Sequence, residues 1–434
     1  MTMTGTIAAP ALPAAAPDIR KDSRVILYCF AAFALSPFVP KVGTMFLWQF
    51  LVPLILVFYA PLLFRTIGAN QFFLIFAAYV AVHTAYNVLL AEEPHAVEAA
   101  TRVVLFFMVF AVFCLTYSPR YWGKEALGEL ERIAALLLIA SAVVSAYQFL
   151  LRPISTDLAL SYNQRFRRIT PWFYQSTGFF YEPRFFSLFL NWELYIFLFV
   201  STNKKRLLYA LLAIVLILTT VSIGGYAAMV ALVGAYLLRI YAGAIKNLFR
   251  LEKKLFALGL IALLVIAIAI GGLATSKFAR RFESVGASLE AVDYETLFLL
   301  AYKYNYAPTA KGVILGQSVR ANSAFRSVIG EISFILKTLR EAPIFGFGIN
   351  RITRIVSLNT HTEVIYRWGL AGYALFIALI IKARGKIDFP FIVFFVFWFS
   401  IDGAIAKPLY WMSLGMLLAF ERLAREHTLP GPQR

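Results

Sequence analysis

The chain predicts an all-α polytopic membrane protein: about twelve transmembrane helices and one large late loop that contains an interfacial amphipathic helix. Three observations lead there. Of 434 residues, 61% are hydrophobic and 15% charged, against about 45–50% apolar and about 25% charged in soluble domains. The apolar residues come in continuous runs near the roughly 20 residues a spanning helix needs, without the alternation of barrel strands. One long polar stretch, residues 275–362, interrupts these runs late in the chain.

Each element follows from composition along the chain. Residues 1–24 read as a disordered cytoplasmic tail; up to residue 19 they are rich in Ala, Pro and Thr, with Asp18 the one charge, and lack the basic start of a signal peptide. Residues 25–274 hold nine helices, at about 25–39, 43–64, 70–90, 99–117, 130–150, 178–200, 207–222, 224–241 and 255–274. Ile223-Gly224-Gly225 divides the seventh from the eighth. Residues 275–362 form the large loop, residues 363–422 hold three helices at 363–381, 389–404 and 408–422, and residues 423–434 form a second tail.

Orientation follows from basic residues in short loops. With the N-terminus inside, the inner connections carry Arg20, Lys21, Arg24, Arg65, Arg120, Lys124, Lys204, Lys205, Arg206, Lys246, Arg250, Lys253, Lys254, Lys382, Arg384, Lys386, Arg422 and Arg425. The short outer loops carry Lys41, the acidic Glu92-Glu93-Pro94-His95 turn and Lys407. Both termini are then cytoplasmic. The net charge of +18 is spread between apolar runs, so it reads as topology and lipid contact rather than nucleic-acid binding.

Two outer segments are basic nonetheless. Residues 151–177 contain Arg152, Arg165, Arg167 and Arg168 against Asp157, and residues 275–362 contain eleven Lys or Arg against six acids. Anionic lipid would satisfy them. So would a phosphorylated lipid-linked substrate, whose oxygens match the planar guanidinium fork. Within the long loop, Asn322 to Ala342 predicts a helix that Pro343 stops. Phe325, Val328, Ile329, Ile332, Leu336 and Leu339 form its apolar face, and Arg326, Glu331, Lys337 and Arg340 the polar one. Arg320 and Arg326 are placed to face a cavity beneath it.

Thr360-His361-Thr362-Glu363 opens the tenth apolar run as a capping box, with Thr360 as cap and Glu363 reaching back. His361 then sits in the first turn, where free amides suit phosphate and the dipole favours a neutral imidazole. Glu182-Pro183-Arg184 starts the sixth run and reads as an interfacial ion pair or as a polar floor to a cavity. His83 and His427 read as packing residues, and Asp402 with Lys407 as a structural pair. Cys29 and Cys114 lie within apolar runs and suggest neither a disulfide nor a metal site. No phosphate-binding glycine loop, dinucleotide fingerprint, zinc spacing or acidic magnesium cluster is present, so no cofactor or metal is expected. An enzyme on the outer face has no ATP to draw on and would need an already activated substrate.

Ser323-x-x-Arg326, Pro343-x-x-Gly346-x-Gly348, His361 and Gly369-Leu370-x-Gly372 together resemble the O-antigen ligase and O-antigen polymerase family of bacterial envelope proteins, as does Gly178 to Arg184 before an apolar run. The resemblance implies about twelve helices and metal-independent glycosyl transfer on the periplasmic side of the inner membrane. The donor would be an oligosaccharide on undecaprenyl pyrophosphate, with a chain-length regulator and a flippase as pathway partners. It implies Arg326 as a pyrophosphate contact and His361 as the catalytic histidine; Arg320, Arg351 and Arg354 are further candidates for the leaving group, and Glu182, Arg184, Arg165 and Arg168 for the substrate. Two departures, Ser222-Ile223-Gly224 without the family's arginine and His361-Thr362 for its His-Asn pair, favour an exopolysaccharide polymerase over a ligase. A lipid-glycan transporter is the rival from another class; its two related halves are not evident here.

Overall fold

The computed structural model describes residues 19–35, 47–69, 71–90, 96–117, 124–151, 168–170, 173–174, 176–180, 182–244, 331, 334–348, 359–385, 387–401 and 408–428. The candidate span at 255–274 and most of the long loop lie outside them. Helices dominate: α1 Ile19–Leu35, α2 Leu47–Phe58, α3 Ala60–Ala69, α4 Gln71–Leu90, α5 Ala96–Tyr117 and α6 Lys124–Leu151. A two-stranded antiparallel ribbon follows, β1 Arg168–Thr170 and β2 Phe173–Tyr174. Next come α7 Pro183–Tyr195, which continues as a π-helix over Ile196–Val200, α8 Arg206–Thr220 and α9 Ile223–Ala244. After a short helix over 334–341, α10, the chain closes with α11 Thr360–Arg384, α12 Phe389–Ile401 and α13 Pro408–Thr428.

Among the described residues, three helices are long and apolar enough to cross a membrane: Pro183–Val200, Gly224–Tyr241 and Thr360–Arg384. Val103–Tyr117, Arg206–Thr220 and Phe389–Ile401 are shorter apolar helices. Several bounds differ from expectation. Helix α1 begins at Ile19, inside the expected tail, α11 begins at Thr360, inside the expected loop, and α13 runs to Thr428, because helical hydrogen bonding continues past the last apolar residue.

Long helices pair along their lengths: α13 with α5, α9 with α12, α7 with α8, and α11 with α4. Apolar side chains gain little by leaving lipid for a helix interface, so packing and hydrogen bonds hold such a bundle together. Aromatic rings supply the packing. Trp368 of α11 meets Phe106 at 5.1 Å and Phe76 at 5.6 Å, and Trp411 of α13 meets Phe113 at 5.4 Å; such pairs contribute about 0.5–1.5 kcal/mol each beyond burial. Indole N–H groups cross between helices: Trp192 donates to the Ser413 carbonyl at 2.9 Å and Trp398 to the Leu188 carbonyl at 2.8 Å.

At one end of the bundle, where α11 finishes, charges close on one another. Arg384 donates to Glu421 through Nε at 2.7 Å and to Asp388 at 2.9 Å, and it lies over the Phe391 ring at 4.0 Å. Tyr195 donates to the same Glu421 carboxylate. One charge set thus ties α7, α11 and α13. At the opposite end lie Glu182, Asn359 and His361.

Candidate site at the broken end of helix α11

Helix α11 is two helices. Gly369 breaks it, with φ 64° and ψ −168°, a conformation open to glycine alone at low cost. A break in a buried helix orphans carbonyls before it and amides after it, and buried orphans are costly. The chain supplies four partners from one strap, residues 343–348. Phe347 N donates to Tyr366 O at 2.8 Å and Gly348 N to Arg367 O at 2.8 Å. Beyond the break, Leu370 N donates to Pro343 O at 2.8 Å and Ala371 N to Ile344 O at 3.1 Å. The remaining carbonyl, Trp368 O, accepts from the Tyr79 hydroxyl of α4 at 2.7 Å.

The approach leaves no room for side chains at the crossing. A Cβ on Gly369 would lie 2.2 Å from Ile344 O, and one on Gly346 (φ +67°) would lie 2.5 Å from Gly369 N. Pro343-x-x-Gly346-x-Gly348 and Gly369-x-x-Gly372 are therefore two halves of one backbone splice. Pro343 does end α10, as its sequence predicts.

The splice sets the first half of α11, residues 360–368, across the second half, and so brings His361 to Tyr373 across a separation of twelve residues. The imidazole is half-buried. Its Nδ1 lies 3.0 Å from the Tyr373 hydroxyl and its Nε2 lies 3.2 Å from the Val396 carbonyl of α12. A carbonyl only accepts, so Nε2 carries the hydrogen in this contact. In the neutral ring Nδ1 then holds the lone pair and accepts from Tyr373. Phe395 and Phe399 flank the ring at 5.4 and 5.7 Å.

The cap at this helix start is Asn359, not Thr360. The Asn359 side chain accepts from Thr362 N at 2.9 Å. The Thr360 hydroxyl instead accepts from Tyr410 at 3.1 Å. Glu363 pairs with Arg367 one turn on, both buried. A buried guanidinium is a stronger claim on a carboxylate than a helix amide. His361 stays in the first turn but one position later than predicted. Glu331, placed by its sequence on the polar face, joins this cap: its carboxylate accepts from Asn359 N at 2.6 Å. On α10, Phe334 and Thr338 are buried, and Leu336 and Leu339 are the exposed apolar residues. Phe334 packs edge-on against Tyr366 at 4.8 Å and sets the face turned to the bundle, which leaves Leu336 and Leu339 on the outward one.

Glu182 and Arg184 form an ion pair at 2.8 Å where α7 begins, with Pro183 in the first turn. A buried polar hook precedes them. Ser176 donates to Ser145 at 2.7 Å, Gln148 donates to Thr177 at 3.1 Å and to Gly178 O at 3.2 Å, and Ser176 N reaches Thr219 O at 2.9 Å. The hook fixes the start of α7 against α6 and α8. Helix α12 stands between this pair and His361: Trp398 faces α7 through Leu188, whereas Phe395 and Phe399 face the imidazole. The described residues thus place Glu182 and Arg184 together and His361 on the other side of α12.

Arg320, Arg326, Arg351, Arg354 and Arg165 lie outside the described residues, as do Asp402 and Lys407; Arg168 is described only as backbone in β1. His83 packs on Tyr79, ring to ring at 5.7 Å, as its packing role requires. Tyr373, Arg367 and Tyr79 were invisible to sequence reasoning, because each acts across a fold-back or between helices. Among the described residues no group of His, Cys, Asp or Glu could hold a metal ion. No family model matches this chain, and no curated protein matches it.

Proposed function

We propose that the protein polymerises undecaprenyl-pyrophosphate-linked oligosaccharide repeat units into an exopolysaccharide or O-antigen-type polymer, by metal-independent, inverting glycosyl transfer on the periplasmic face of the bacterial inner membrane. The reading takes twelve spans with both termini cytoplasmic. The observation that carries it is the His361 imidazole, held by Val396 in the tautomer that leaves Nδ1 basic. In the reaction an acceptor sugar hydroxyl takes the place of Tyr373 at Nδ1. Its oxygen attacks the donor's anomeric carbon, the bond to undecaprenyl pyrophosphate breaks, and the hydroxyl proton passes to His361. Arg326, with Arg320, Arg351 and Arg354, neutralises the leaving pyrophosphate. Glu182, Arg184, Arg165 and Arg168 are assigned to the glycan and headgroup.

The test is a purified protein incubated with lipid-linked repeat units. A ladder of products is expected, and general-base loss in His361→Gln should slow its formation by roughly 10²–10⁴-fold. Absence of a ladder from folded wild-type protein would refute the assignment, and a ladder formed in detergent excludes transport. A ligase, which would move finished glycan to a lipid A core, differs in the knockout: polymer on lipid accumulates there, whereas a missing polymerase leaves single repeat units. One observation favours a second reading of the histidine. Both ring nitrogens are hydrogen-bonded, as in a simple tie between α11 and α12. A tie predicts that His361→Gln lowers the melting temperature and the rate together; a base predicts that only the rate falls.

A further inference from the structure

Glu193 sits in the last turn of α7, just before its π-helical continuation, with no exposed surface. Neither of its carboxyl oxygens has a hydrogen-bond partner among the described residues. An ionisable group in that position is costly and, inside a membrane bundle, is retained for a use. The neighbourhood is apolar: Phe189, Leu190, Ile196 and Phe197 on its own helix are all buried.

The contacts of α7 locate its level in the bundle. Thr202 N donates to Glu131 of α6 at 2.7 Å, beneath Glu193, and the Ser176–Ser145 and Gln148–Thr177 bonds join the other ends of the same two segments. The two helices therefore run antiparallel. At 1.5 Å per residue, Glu193 lies roughly 14 Å above Thr202, and Ser141 lies roughly 15 Å above Glu131. Ser141 is fully buried, and its hydroxyl also lacks a hydrogen-bond partner among the described residues. On the α8 side, Phe197 meets Tyr209 at 5.1 Å, which sets buried Ala213 opposite Glu193. Directly after this turn the helix changes to π geometry, with Ser201 N bonding Ile196 O at 2.8 Å. Such turns re-aim side chains within a helix and recur at functional sites.

We propose that Glu193 and Ser141 form a proton-binding site in the interior of the bundle. Glu193 carries the proton as a neutral carboxylic acid, and the Ser141 hydroxyl receives its hydrogen bond when either side chain turns toward the other. The alternative, a carboxylate, would need a cation; the charged groups that the described contacts bring to α7, Glu131 and Arg206 at the Thr202 end and Arg384 beside Tyr195, are each already bonded elsewhere. Arg206 there donates to Ser201 O at 3.0 Å. The site is independent of the His361 reading.

Infrared difference spectra of the full-length protein in detergent test the idea. The carbonyl stretch of a protonated carboxyl is expected, lost in Glu193→Gln and moved to higher frequency in Ser141→Ala. A spectrum that Glu193→Gln leaves unchanged overturns the proposal. Should that variant not fold, labelling of wild type decides. An apolar carbodiimide adds across an acid's O–H, the proton moving to nitrogen and nothing leaving, so the peptide containing Glu193 gains one reagent mass. No gain, or equal labelling by a water-soluble carbodiimide, overturns it.

Discussion

Helix α11 meets the same problem, buried polarity, at its C-terminal end and at its internal break, and solves it in opposite ways. At Arg384 the solution is side-chain charge: one guanidinium bonds Glu421 and Asp388, and Tyr195 bonds the same Glu421. At Gly369 it is backbone: amides and carbonyls left by the break are matched by the strap and by Tyr79. Polar capacity is consumed at the first. At the second, Thr362 Oγ1, Arg367 Nε and Trp368 Nε1 are buried without hydrogen-bond partners among the described residues. A saturated charge cluster anchors helices; a break matched by backbone bonds keeps side-chain donors for other use.

Four substitutions separate these designs, in falling order of effect. Arg384→Ala strands the buried Glu421 carboxylate and should cost about 3–5 kcal/mol, read by thermal unfolding in detergent. Replacing both partners by Met and Leu should cost much less; an equal cost would mean that packing rather than charge holds that end. Gly369→Ala forces an L-residue into a left-handed conformation, about 1–3 kcal/mol, and drives Cβ into Ile344 O. Melting should fall, and the accompanying displacement of residues 360–368 should remove His361-dependent product. Tyr79→Phe leaves Trp368 O unmatched and should cost about 1 kcal/mol, with no change expected if water replaces the hydroxyl. Lys337→Ala breaks an i,i+4 pair with Glu341 on the exposed face of α10 and should stay within about 0.5 kcal/mol.

Most helices were legible in the sequence because each is an apolar run bounded by charge, and Pro343 was legible as a stop. What escaped was long-range. Periodicity put Leu336 and Leu339 on the apolar face of α10, but it could not say which face packs on the bundle; Phe334 against Tyr366 decides that. The cap was misread by one residue because Asn359 and Thr360 are both good caps, and only the Tyr410 contact to Thr360 separates them. Gly369 looked like part of a continuous span, since one glycine in an apolar run does not announce a break; its partner strap lies more than twenty residues upstream. His361 and the Glu182–Arg184 pair were singled out from local signals, whereas Tyr373 and Arg367 beside the imidazole's helix needed the fold-back.

The splice also governs motion. Four backbone bonds join residues 343–348 to both sides of Gly369, so the stretch that bears His361 cannot swing as a free flap. Any tilt must carry the strap and α10 with it, like a lever with two arms on one pin, and whatever presses on α10 from outside is felt at the imidazole.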